Sequence, residues 1–187
     1  MNKSDLLFQI DAVKNAKRKY RDKATEFVLE HPETFPFLIN LVFDNKNRSS
    51  IKATWVLELV CHENLNLITP FMDFFISNLK KITGESAIRP IAKICNFLLN
   101  GNYYQPKNNK ISILFTKEQE NKLIESNFDW LIENHKVATQ VYAMDNLLLL
   151  SKESKWISEE LKLALQKDYL LKSAGYQARA RKILKKL

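Results

Sequence analysis

The apolar positions recur with a helical period almost throughout the chain. In the stretch from Ile51 to Val60, positions 53, 56, 57 and 60 hold Ala, Val, Leu and Val. They share one stripe at i, i+3, i+4 and i+7, the pattern of a helix with one face against a core. Strand-like alternation is confined to Ile111-Ser-Ile113-Leu114-Phe115. The segment ends carry matching signals. Thr34 and Pro36 open a helix and Asp44-Asn-Lys-Asn47 closes it, Ser49 and Ser50 can cap the next, and Gly84-Glu-Ser86 parts two more. Ser173 precedes the last. The pattern predicts ten helices, at roughly 4–14, 17–31, 33–43, 49–62, 68–82, 86–100, 117–133, 136–151, 156–168 and 173–186.

The chain also resembles itself. Lys52-Ala53…Leu57…Val60 lines up with Arg89-Pro90…Ile94…Phe97 after 37 residues, and Tyr142-Ala143…Leu147…Leu150 follows 53 residues later. Arg179-Ala180…Leu184…Leu187 follows after another 37. The long interval exceeds 37 by 16, which is the length of the segment 101–116, so that segment reads as an insertion. Lys23-Ala24-Thr25-Glu-Phe27-Val28-Leu29 echoes Lys52-Ala53-Thr54-Trp55-Val56-Leu57 as a degenerate further unit. A period of this size with two helices per unit is the mark of an α-solenoid, because a lone helix pair cannot bury both of its apolar faces. The expectation is an all-α chain, one domain over 1–187 with a loop inserted at 101–116. Ala53, Leu57, Val60, Ile94, Phe97, Ala143, Leu147 and Leu184 are its expected core.

Pro36-Phe-Leu-Ile-Asn-Leu-Val-Phe-Asp44, a short turn, and Ser50-Ile51-Lys52-Ala53-Thr-Trp55-Val-Leu57 resemble a HEAT repeat. That family has a proline in its first helix, an Asp in the turn, and a second helix built on hydrophobic–Arg/Lys–x–Ala. Pro90 stands where the small Ala belongs, and Tyr142 where the basic residue belongs. The resemblance implies a HEAT/armadillo-like right-handed α-α superhelix of about five helix pairs. It also implies a concave face lined by the second helices that grips a partner. Ala53-Thr-Trp-Val-Leu-Glu58, Arg89-Pro-Ile-Ala-Lys-Ile-Cys95 and Phe128-Asp-Trp-Leu131 are similar to a group of short bacterial HEAT-like proteins of unassigned role. Some of that group carry the label adenylosuccinate lyase. True lyases of that kind are much longer and have a Ser/Met/Pro/Lys/Asn-containing signature loop, which this sequence lacks.

Composition narrows the function classes. With 45% apolar and 27% charged residues the chain reads as globular. No apolar run reaches the ~18 residues of a spanning helix. The first 23 residues carry charges where a signal peptide needs its apolar stretch, which points to the cytoplasm. The formal charge of +8 is local: residues 1–31 carry +2, residues 32–161 carry −1, and residues 162–187 carry +7. Three isolated glycines build no phosphate-binding loop. His31, His62 and His135 sit at predicted helix ends with no metal-ligand spacing, and Cys61 and Cys95 form no CxxC motif. No metal, cofactor or catalytic group is expected.

The candidates are therefore binding residues. Lys52, Arg89 and Arg179 recur at one repeat position, with Lys182 and Lys186 beyond them. They can form a basic row for an acidic peptide or protein, or for nucleic acid. Alternatively they pair internally with acids such as Asp44 or Glu85. Tyr142 interrupts the row and can add a flat contact. Some HEAT-like proteins are DNA glycosylases for alkylated bases that use an Asp and aromatic residues on the concave face. Trp55 and Asp145 hold equivalent repeat positions, and Asp145 is an acid in an otherwise apolar helix. The other reading of Trp55, Trp130 and Trp156 is packing between helices. In the insertion, Tyr103 and Tyr104 can supply a contact surface.

Overall fold

Among the described residues, three α-helix starts have a side chain that receives their first unpaired amides. A computed structural model describes residues 1–101, 114–167 and 169–187. Ten α-helices and several 3-10 turns lie among the described residues, and no strand. Asn2 caps α1 (Lys3–Asp11) by accepting from the amides of Ser4 and Asp5 at 2.8 and 3.1 Å, while the Asp5 carboxylate accepts from the Asn2 amide. Thr116 and Gln119 make the same reciprocal box at the start of α7 (Lys117–Ile132). Ser173 caps α10 (Ala174–Leu184). Gly84, at φ +84°, enters α6 (Glu85–Asn100) in the left-handed region that an L side chain disfavours. Ser49 precedes α4 (Ser50–Glu63) without capping it. Its hydroxyl donates instead to the Asp11 carboxylate, which ties α4 to the end of α1.

The described residues fall into two compact units, Met1–Ile113 and Leu114–Leu187. In the first, α2 (Arg18–Glu30) packs on α4 and α4 on α6, while α1 packs on α2 and α3 (Phe35–Val42) on α4. The helix in the middle is buried most completely. Ala53, Val56, Leu57 and Val60 have no exposed surface, as their stripe requires. Thr54, Glu58, Leu59 and Cys61 are buried as well, because α4 has neighbours on three sides. In the second unit α7 packs on α8 (Val137–Leu150), and α8 also contacts α9 (Lys155–Gln166) and α10. Asn146 and Asn127, both fully buried, join α8 to α7 by a 2.8 Å hydrogen bond that Asn146 Nδ2 donates to Asn127 Oδ1.

Two expectations are corrected. The helix expected over 68–82 is broken into 3-10 turns around α5 (Met72–Ser77). Pro70 has no N–H to continue a ladder, and the Asn78 side chain donates to the Phe74 carbonyl at 2.6 Å in competition with the backbone. Of the expected core, Ala53, Leu57, Val60, Ile94, Phe97, Ala143 and Leu147 are buried, but Leu184 is only half-buried. On α10 the buried stripe is Tyr176, Ala180 and Ile183, at i, i+4 and i+7, which turns Leu184 to its side. The expected insertion 101–116, with the strand-like Ile111–Ile113, lies almost wholly outside the described residues. Leu114 at its end is exposed.

Candidate functional site

Glu58 is the centre of the first unit's polar chemistry. It sits on α4 within Val56-Leu57-Glu58-Leu59-Val60 and is 2% exposed. A carboxylate there must be paired. Three cations reach it. Arg21 comes from α2, with Nη1 3.3 Å from Oε2. Lys93 and Arg89 come from α6, with Nζ 2.7 Å from Oε1 and Nη2 3.4 Å from Oε2. The same Arg21 Nη1 donates to the Trp55 carbonyl at 3.1 Å. Arg21 is itself buried, and among the described residues its Nε has no partner. Lys93 also lies over the Phe97 ring.

Trp55 is half-buried, and its place follows from Pro90. Proline within α6 has no N–H to give the Ser86 carbonyl four residues earlier. The Trp55 indole Nε1 on α4 donates to that carbonyl at 2.8 Å. Lys52 reaches back as well, its Nζ donating to the Asp11 carbonyl at 2.7 Å.

In the second unit Arg179 of α10 pairs with Asp145 of α8, Nε to Oδ1 at 2.6 Å. Burial raises the Asp145 carboxyl above its ordinary range, against the opposing pull of Arg179 and Lys186. Arg89 and Arg179 thus make the same move, each reaching an acid on a second helix of its own unit. Those acids are Glu58 and Asp145. Tyr142 is half-buried on α8. Arg181, Lys182, Lys185 and Lys186 are exposed on and just after α10. Tyr103 and Tyr104 lie outside the described residues.

The other chemical candidates have local partners. His31, His62 and His135 stand 3.6, 3.1 and 3.1 Å from Glu33, Glu63 and Glu133. Both cysteines are fully buried, and burial pushes their thiols far above the ordinary cysteine range. Among the described residues no group of three His, Cys, Asp or Glu side chains could hold a metal ion, and no helix is long and apolar enough to cross a membrane.

Of the tryptophans, Trp130 is core, whereas Trp156 packs on a neighbouring helix with one half exposed. It stacks on Phe128 at 6.3 Å over a groove of about 510 Å³ that Ile132 and Leu163 also line. Sequence reasoning singled out neither this groove nor Arg21, Glu58 and Lys93. A signal for Glu58 existed, since it is an acid flanked by apolar residues on both sides, the feature that drew attention to Asp145. No protein-family model matches the chain, and no curated protein or solved structure matches it.

Proposed function

We propose that the chain is a HEAT-like α-solenoid, a right-handed superhelix of about five helix pairs, that serves as a non-catalytic scaffold for an acidic protein or peptide. The side-by-side packing of α2, α4 and α6, and of α8 and α10, supports the repeat reading. The exposed basic face of α10 carries the functional one. Arg181, Lys182 and Lys185 are exposed, no acid lies on that helix, and among the described residues no ion pair engages these three side chains. A like-charged row in solvent attracts an anionic surface, and salt weakens the attraction.

The test is fluorescence anisotropy with a labelled glutamate-rich peptide and a single-stranded DNA of equal charge, across a salt series. The peptide is expected to bind at low salt and to be lost in Arg181→Glu/Lys182→Glu/Lys185→Glu with little change in thermal midpoint. Tighter binding of the DNA would replace this reading with nucleic-acid binding. Binding of neither would end it.

A further inference from the structure

The Glu58 cluster holds more positive charge than its own carboxylate neutralises. Arg21, Arg89 and Lys93 set three charges against one, a net excess of two. Their hydrogen-bonding capacity is in excess too. A guanidinium has five N–H donors and an ammonium three. Among the described residues, Arg89 makes a single hydrogen bond, at 3.4 Å, and Lys93 a single one, at 2.7 Å. Among the described residues, Arg21 directs only Nη1 to partners, and its buried Nε has none. Glu58 accepts one hydrogen bond from each cation, which leaves most of their N–H groups outside these bonds. The α6 cations are open to solvent, with the Arg89 side chain 35% and that of Lys93 24% exposed, whereas Glu58 lies beneath them. An anion can therefore approach Arg89 and Lys93 from outside while Glu58 holds them from within.

We propose that Arg89 and Lys93, backed by Arg21 and held in place by Glu58, form a binding site for a single oxyanion, a phosphate or carboxylate group. The site belongs to the first unit alone and is independent of the α10 face. Glu58 positions the cations and limits affinity by competing for them. Arg89 supplies a planar fork suited to two oxygens, and Lys93 a point charge beside it.

Isothermal titration with inorganic phosphate, at constant ionic strength balanced by chloride, tests the site. The native chain should bind phosphate saturably. Arg89→Gln/Lys93→Met should weaken binding at least about tenfold, the loss expected when charge-assisted donors are removed. Each single substitution is measured as well, in case the double variant does not fold. Glu58→Gln removes the competing charge and should tighten binding and make the thermal midpoint more dependent on phosphate. A glutamate-rich peptide added to the phosphate complex separates the two sources of the oxyanion. Displacement of phosphate assigns it to a peptide carboxylate, and simultaneous binding to a free anion, each consistent with the site. No saturable binding by the native chain would overturn the proposal, as would phosphate binding unaffected by Arg89 and Lys93 but lost in the α10 triple variant. Phosphate binding without peptide capture would refute only the scaffold reading.

Discussion

Removing the Glu58 carboxylate is the sharpest perturbation of the first unit. The cations around it should respond unequally, because burial differs among them. The Arg21 side chain is 9% exposed, so in Glu58→Ala its charge stays in the interior with the Trp55 carbonyl as its remaining partner. Breaking a buried pair in this way costs about 3–5 kcal/mol, most of it the burden of the orphaned charge. Arg89 and Lys93 reach Glu58 from the solvent side and can turn to water. Arg89→Ala should therefore cost no more than about 1 kcal/mol. In urea unfolding followed by circular dichroism, with a slope near ~2 kcal/mol per molar, Glu58→Ala should lower the midpoint by roughly 2 M. The control is Arg21→Met/Glu58→Met, which replaces both charges by apolar side chains of similar length. It should unfold close to the native midpoint or above it. If Glu58→Ala lost less than about 1 kcal/mol, or if the apolar double variant lost as much as the single one, the burial argument would be refuted.

Two further outcomes are expected. Burial raises the Asp145 pKa in the folded chain, so between the ordinary carboxylate pKa and the raised one the folded state binds more protons than the unfolded state, and stability should decline as pH rises through that window. Asp145→Asn should abolish that decline in thermal midpoints measured across the acid range. Cys61 and Cys95, buried with elevated thiol pKa values, should resist iodoacetamide in the native chain and react in denaturant, as mass spectrometry would show.

Helix positions are legible in the sequence because the 3.6-residue pattern and the capping residues act locally. Asn2, Thr116 and Ser173 each fix a start within their own first turn. The break at α5 is less legible, because it depends on the Asn78 amide choosing a backbone carbonyl over the helix ladder. The same limit applies to Ser49, which has the chemistry of a cap but engages Asp11 thirty-eight residues away. For the site, the self-similarity of the sequence aligns Arg89 with Arg179, yet it does not name their partners. Glu85 lies about one turn before Arg89 in the sequence, whereas Glu58 and Asp145 are brought near Arg89 and Arg179 only by the packing of α4 on α6 and of α8 on α10. For Trp156, an aromatic residue at helical spacing suggests packing but does not reveal which way its face turns. Its exposure depends on how α7 and α9 leave a groove around it.

Pro90 is the one residue in α6 that its own helix cannot accommodate alone. The carbonyl it leaves open is closed by an indole from α4, so a local defect becomes a joint between two helices. Pro90→Ala would restore the helix's internal bond and leave the Ser86 oxygen shared between the new backbone N–H and the Trp55 indole. Trp55→Phe would keep a ring and leave the carbonyl to water. Among related chains, proline at the first position should therefore travel with tryptophan at the second, and where one has been lost the other should be free to change.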